Sequence, residues 1–119
     1  MKKNVNIKKE AYKIVINYER RNRRVAKLVE KEGYDILSKG RKEIRHIEVK
    51  GTLSDMPSFR FLTKNEFKVI TNDLKSYLYL VCGIGKKPKI YIFDRDGILL
   101  RYRGIELNHV IVFRRNDFR

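Results

Sequence analysis

The sequence predicts an α+β (or α/β) sandwich, a mixed sheet flanked by helices. Three observations predict it. An apolar stripe near the 3.6-residue period runs through residues 7–23. Short apolar runs broken by turn residues follow it at 34–38, 43–50 and 59–62. A second amphipathic segment then precedes a strongly apolar run, Tyr77-Leu78-Tyr79-Leu80-Val81.

The first helix is expected over residues 7–23. Ala11, Val15, Tyr18 and Asn22 recur along one face, and Tyr12, Val15, Ile16 and Glu19 share another. Glu19 therefore continues an apolar stripe, where a carboxylate is out of place. The ordinary explanation is a surface pair with Arg23 at i+4. Arg20, Arg21, Arg23, Arg24 and Lys27 follow as a basic cluster. Arginine suits phosphate geometry, although such a run also serves as a solvated helix face. Residues 24–32 read equally as a helix extension or a linker, and Gly33 ends either.

Tyr34–Ser38 reads as a strand, Lys39-Gly40-Arg41-Lys42 as a turn and Glu43–Lys50 as the returning strand. A hairpin centred near Gly40–Arg41 pairs residues whose numbers sum to about 81–83. That register sets Asp35 opposite His46 to Glu48. Strand alternation puts Glu48 and Lys50 on one face with His46 beside them, and Ile47 and Val49 on the other.

Phe59–Leu62 is expected to be a third strand. Thr63-Lys64-Asn65-Glu66 opens a helix as a Thr-x-x-Glu capping box, with Phe67, Val69, Ile70 and Leu74 as its apolar face. Capping accounts for Thr63 and Glu66, while Lys64 and Lys68 remain available to phosphate. Residues 76–82, apolar on both faces, read as a buried strand. Lys89–Asp94 is another strand, with Arg95-Asp96-Gly97 as its turn. Ile98–Arg101 is a strand or a helical turn, and Val110–Phe113 is a last strand.

The chain has 119 residues, which implies one domain, residues 1–119. Its 29 Lys and Arg against 14 Asp and Glu give a formal charge of +15. Such an excess favours a polyanionic partner, with nucleic acid first and an acidic membrane surface second. The single cysteine, Cys82, excludes an intrachain disulfide and a cysteine zinc cluster. No apolar run approaches ~20 residues, so no membrane-spanning helix is expected. Met1-Lys2-Lys3 leads into polar residues rather than a signal-peptide core, and a soluble, cytoplasmic protein is the expectation.

Asp35, Glu48 and Lys50 at one strand end point to metal-dependent phosphodiester hydrolysis. That chemistry needs charge neutralisation at the phosphate, an attacking hydroxide and a stabilised leaving oxygen. Asp35 and Glu48, with the Val49 carbonyl, form an oxygen donor set suited to Mg²⁺ or Mn²⁺. Lys50 would orient the attacking water or stabilise developing charge. Glu19 would complete the metal shell or orient a metal-bound water. Arg20, Arg23, Arg24, Lys64 and Lys68 are the candidate phosphate contacts. An ordinary hairpin with a surface Glu–Lys pair is the competing explanation.

Asp35, then Glu48-Val49-Lys50, resembles the signature of the PD-(D/E)XK nuclease superfamily in its Glu-Val-Lys form. Tyr34 stands where the name has proline. More closely, the chain resembles the domain at the C-terminus of plant NO VEIN proteins and in many prokaryotic defence-linked proteins. The matching segments are Ala11…Ile14-Val15-Ile16…Tyr18-Glu19, Gly33-Tyr34-Asp35-Ile36-Leu37-Ser38, Ile47-Glu48-Val49-Lys50-Gly51, Leu62-Thr63…Asn65-Glu66 and Tyr77-Leu78-Tyr79-Leu80-Val81. The resemblance implies a restriction-endonuclease-like core and carries catalytic roles onto Glu19, Asp35, Glu48 and Lys50. It implies a nuclease, with a helicase or defence-complex partner as in fused relatives, and DNA is the expected substrate. The alternative function is a non-catalytic, basic nucleic-acid-binding module of a defence or repair complex. A homodimer is also expected as an option, because cutting both strands needs two sites or two encounters.

Overall fold

Helix α1 spans Ile7–Arg21 and buries Ala11, Tyr12, Val15 and Glu19. Tyr12, Val15 and Glu19 belong to the second of the two faces read from the periodicity, whereas Ala11 comes from the first and Ile16 is only partly buried. The Asn6 side chain caps the helix by accepting from the Lys9 amide at 3.0 Å. These contacts come from a computed structural model, which describes residues 6–30 and 33–119. Met1-Lys2-Lys3 and residues 31 and 32 lie outside the described residues. Beyond α1, Arg23 adopts φ +63°, in the left-handed region, and turns the chain back.

The returning chain forms strand β1 over Val25–Leu28. The sequence left this stretch between helix and linker. With only Ala26 of its four residues buried, the strand carries no alternating pattern to read. β2 covers Ile36–Lys39 and β3 covers Ile44–Gly51, joined by the turn at Gly40. They pair antiparallel with Ile36 opposite Ile47, a sum of 83, at the upper end of the expected register. β4 is Phe59–Leu62, α2 is Lys64–Asn72 and β5 is Ser76–Cys82. The Thr63–Glu66 capping box forms in both directions. β6 is Lys89–Asp94.

The principal sheet runs β1-β2-β3-β5-β6. β3 and β5 are parallel and the remaining pairs antiparallel, so the sheet is mixed as expected. α2 lies on the crossover between the parallel pair. One face packs on α1 through Ile36, Ile47, Val49, Tyr79 and Val81. Gly51 permits close approach there. A Cβ on it would stand 2.8 Å from Ile84 Cδ1 and 2.9 Å from Ala11 Cβ. The opposite face packs Leu78, Leu80 and Cys82 against Leu62, Ile70, Ile98 and Ile111.

The C-terminal part departs from the sequence reading. Arg95-Asp96-Gly97, expected to be a turn, is the first turn of α3, Arg95–Arg101, because the Asp94 carboxylate caps it through the Gly97 amide. Strand β7, Tyr102–Ile105, was not anticipated. It pairs with β8, Asn108–Val112, and β8 pairs with β4, giving a second, three-stranded sheet. A 3₁₀ turn, Arg115–Phe118, follows. Leu74, expected on the apolar face of α2, lies beyond the helix and is 82% exposed.

Candidate metal centre

Asp35 sits one residue before β2, where the main chain still follows the ladder. Its amide donates to the Ile47 carbonyl at 2.9 Å and its carbonyl accepts from the Val29 amide at 3.0 Å. With Ile36 opposite Ile47, Asp35 comes level with Glu48. Its carboxylate is held at both oxygens. Tyr12 donates its hydroxyl to Oδ1 at 3.0 Å, and the Val49 amide donates to Oδ2 at 2.8 Å. Burial, then the Asp35 charge, raises the Tyr12 hydroxyl well above its ordinary pKa, so it stays a donor. One acid is thus fixed by α1 from one side and by β3 from the other.

Glu48 and Lys50 occupy the face of β3 opposite Ile47 and Val49, as alternation requires. Glu48 is buried. Its pKa is pushed up to about 10, first by burial, then by a hydrogen bond with Glu66 and by the Asp35 charge. Lys50 opposes that shift, with Nζ 3.5 Å from Glu48 Oε2, but does not cancel it. Glu66 moves the other way. Burial alone would raise it, but hydrogen bonds with Glu48, Lys50 and the Thr63 amide hold it below the ordinary carboxylate range. Burial and the neighbouring acids thus favour the neutral form of Glu48.

A buried glutamate pushed up beside a fixed aspartate marks a place short of positive charge. The donor chemistry there suits a hard divalent cation. Among the described residues, no group of three or more His, Cys, Asp or Glu side chains is gathered to hold a metal. The set that could do so is the Asp35 and Glu48 carboxylates with the Val49 carbonyl. Ile47 and Val49 are two apart on β3, so their carbonyls face the same strand edge, the one that Asp35 completes. Two carboxylates, a carbonyl and water make a customary Mg²⁺ shell.

The structure does not bring Glu19 to this group. Its neighbours Ser38 and Tyr79 project from the α1 face of the sheet, whereas Glu48 and Lys50 project from the other. Glu19 Oε1 accepts from Ser38 Oγ at 2.7 Å and lies 3.1 Å from Arg24 Nε, while Oε2 accepts from Tyr79 OH at 2.9 Å. Glu19 is therefore not gathered with Asp35, Glu48 and Lys50, because it lies on the opposite face of the sheet. The anticipated surface pair with Arg23 is replaced by this buried pair with Arg24.

Arg24 is likewise no free phosphate contact. Its guanidinium bonds Ser38 Oγ at 2.8 Å, the Ser38 carbonyl at 3.1 Å and the Glu43 carbonyl at 3.0 Å, clipping the β2–β3 turn to the end of α1. Arg20, Arg23, Lys64 and Lys68 are exposed. His46, expected beside Glu48 and Lys50, is engaged elsewhere. It stacks on Tyr34 and bonds Asp73.

Two residues of the group escaped the sequence reading. Tyr12 carried a signal, since it shares a helix face with Glu19. Glu66 was assigned wholly to the cap, yet its Oε1 also accepts from Lys50 Nζ at 2.9 Å.

Residues 7–93 match the model of a family described as Protein NO VEIN, C-terminal. The chain belongs to this family. The matched segment of this NO VEIN C-terminal-type chain reaches from α1 into β6 and contains Tyr12, Glu19, Asp35, Glu48, Lys50 and Glu66. The second sheet is completed by β7 and β8, beyond it. Among solved structures, the chain is similar to Hjc of Archaeoglobus fulgidus, a Holliday junction resolvase from an archaeal hyperthermophile. The TM-score is 0.68 at 14% identity, covering 92% of this chain and 85% of that one. The NO VEIN-type domain here thus has the restriction-endonuclease-like fold expected from the sequence. No curated protein matches the chain.

Proposed function

We propose that this protein is a divalent-cation-dependent nuclease of DNA. Asp35, Glu48 and the Val49 carbonyl would hold Mg²⁺ or Mn²⁺. The observation that carries the reading is the meeting of Asp35 with Glu48 and Lys50 at one sheet end, with Glu48 buried and pushed up to about 10. Such a cation, when bound, neutralises phosphate charge and acidifies water.

The chain's own residues do the rest. Tyr12 and the Val49 amide orient Asp35. Glu48 would supply the second carboxylate of that donor set. The Lys50 ammonium contacts the scissile phosphate and stabilises charge that develops there. Lys64, Lys68, Arg20 and Arg23 bind flanking phosphates. The likeness to a resolvase favours branched DNA as substrate, recognised by shape, with two copies of the chain engaging two strands.

The test is cleavage of labelled four-way, duplex and single-stranded DNA with Mg²⁺ or Mn²⁺, run beside Asp35→Ala. Metal-dependent cutting by the wild type and loss of about 10³-fold or more in the variant are expected. Undiminished cutting by Asp35→Ala would remove this site from the mechanism. Salt-sensitive binding without cutting under either metal would make the chain a binding module instead.

A further inference from the structure

Glu66 is more than its helix cap requires. A capping box needs one acceptor at its third helical position, and Gln serves there as well as Glu. Here Glu66 Oε1 accepts from the Thr63 amide at 2.9 Å and, with the same oxygen, from Lys50 Nζ at 2.9 Å. Lys50 lies between two carboxylates, Glu66 at 2.9 Å and Glu48 at 3.5 Å. Its side chain is only 14% exposed. A lysine stem is flexible, and its ammonium settles on whichever carboxylate is offered. Left alone with Glu48, it would close on the oxygen a cation needs. The Thr63 backbone amide, which any residue at position 63 would supply, holds the Glu66 carboxylate in place.

We propose that Glu66 is a positioning residue. It draws the Lys50 ammonium toward α2, so that the closer of its two carboxylate contacts is to Glu66 rather than Glu48, and so ties the lysine to the helix that presents Lys64 and Lys68. This rests on the nuclease reading of the site. It predicts that the negative charge at position 66 matters separately from the cap.

Glu66→Gln and Thr63→Ala separate the two roles. Gln retains an acceptor for the Thr63 amide but loses the charge facing Lys50. Thr63→Ala weakens the cap and leaves the Lys50 contact in place. We expect Glu66→Gln to melt near the wild-type temperature, to lose roughly 10–100-fold in kcat with little change in KM for DNA, and to need more Mg²⁺ for half-maximal rate. Thr63→Ala should melt roughly 4 °C lower with kcat within about twofold of wild type. Wild-type kcat and Mg²⁺ requirement in Glu66→Gln would overturn the proposal, as would an equal kcat loss in both variants. A readout independent of cutting is the Lys50 ammonium ¹H–¹⁵N resonance, expected in the wild type and lost in Glu66→Gln. Should the wild type cut no DNA, the nuclease reading fails, and this resonance still decides the placement of Lys50.

Discussion

Glu19 and Glu48 are two glutamates withdrawn from water on opposite faces of one sheet, 1% and 6% exposed. Their surroundings differ entirely. Glu19 meets Ser38, Tyr79 and Arg24, so hydrogen bonds and a positive charge compensate its burial. Glu48 meets Asp35, Glu66 and one lysine at 3.5 Å, and its pKa is pushed up. Burial is common to both; the supply of donors is not. Glu19, paired with Arg24 as well as with two hydroxyls, has its charge compensated by the fold. A carboxylate left short of positive charge is where a cation or a phosphate-bound metal has something to gain.

Substitutions sharpen or break this contrast. The largest effect is expected from Glu48→Gln, which should lower cleavage by roughly 10³-fold while leaving the melting temperature unchanged or higher. A large fall in stability would mean that Glu48 is as structural as Glu19. Next comes Glu19→Ala, which strands Arg24 in a half-buried clip. Breaking such a pair costs on the order of 3–5 kcal/mol, a melting shift of roughly 10–20 °C, with kcat preserved at temperatures where the variant is folded. Loss of kcat in a folded Glu19→Ala protein would return that residue to the reaction.

The pH dependence of metal-free stability is a smaller effect. Glu48 titrates at about 10 when folded, against 4.5 for a free glutamate, so the folded state holds the extra proton. That contribution is fully present below pH 4.5 and is lost as pH rises through about 10. In chelator, stability should fall across that window by at most on the order of 1 kcal/mol per pH unit, and Glu48→Gln should flatten the slope. An unchanged slope would show that Glu48 is ionised in the metal-free fold. The smallest effect concerns the basic residues. Lys64→Ala with Lys68→Ala should reduce the salt slope of duplex binding by about 2, whereas Arg24→Ala should lower stability and leave that slope alone.

Much of the site was legible because its determinants are local. The turn at Gly40 sets the β2–β3 register, and that register alone brings Asp35 level with Glu48. The Thr-x-x-Glu box announces the start of α2. The helical stripe displays Glu19 as an intruder among apolar residues. β1 and β7 were not legible. Each has four residues and at most one buried, too few for a period to show.

The sequence by itself determined the α+β class, the hairpin carrying Asp35, Glu48 and Lys50, and the +15 charge. Turn chemistry and periodicity operate over a few residues and need no knowledge of the rest. Only the tertiary structure decided which carboxylates share a neighbourhood. Glu19 finds Tyr79 across 60 positions, and Lys50 finds Glu66 across 16. Whether a buried acid meets donors or other acids depends on what packs against each face of the sheet. Long-range packing made that assignment, sending Glu19 to Ser38, Tyr79 and Arg24 and Glu66 to Lys50.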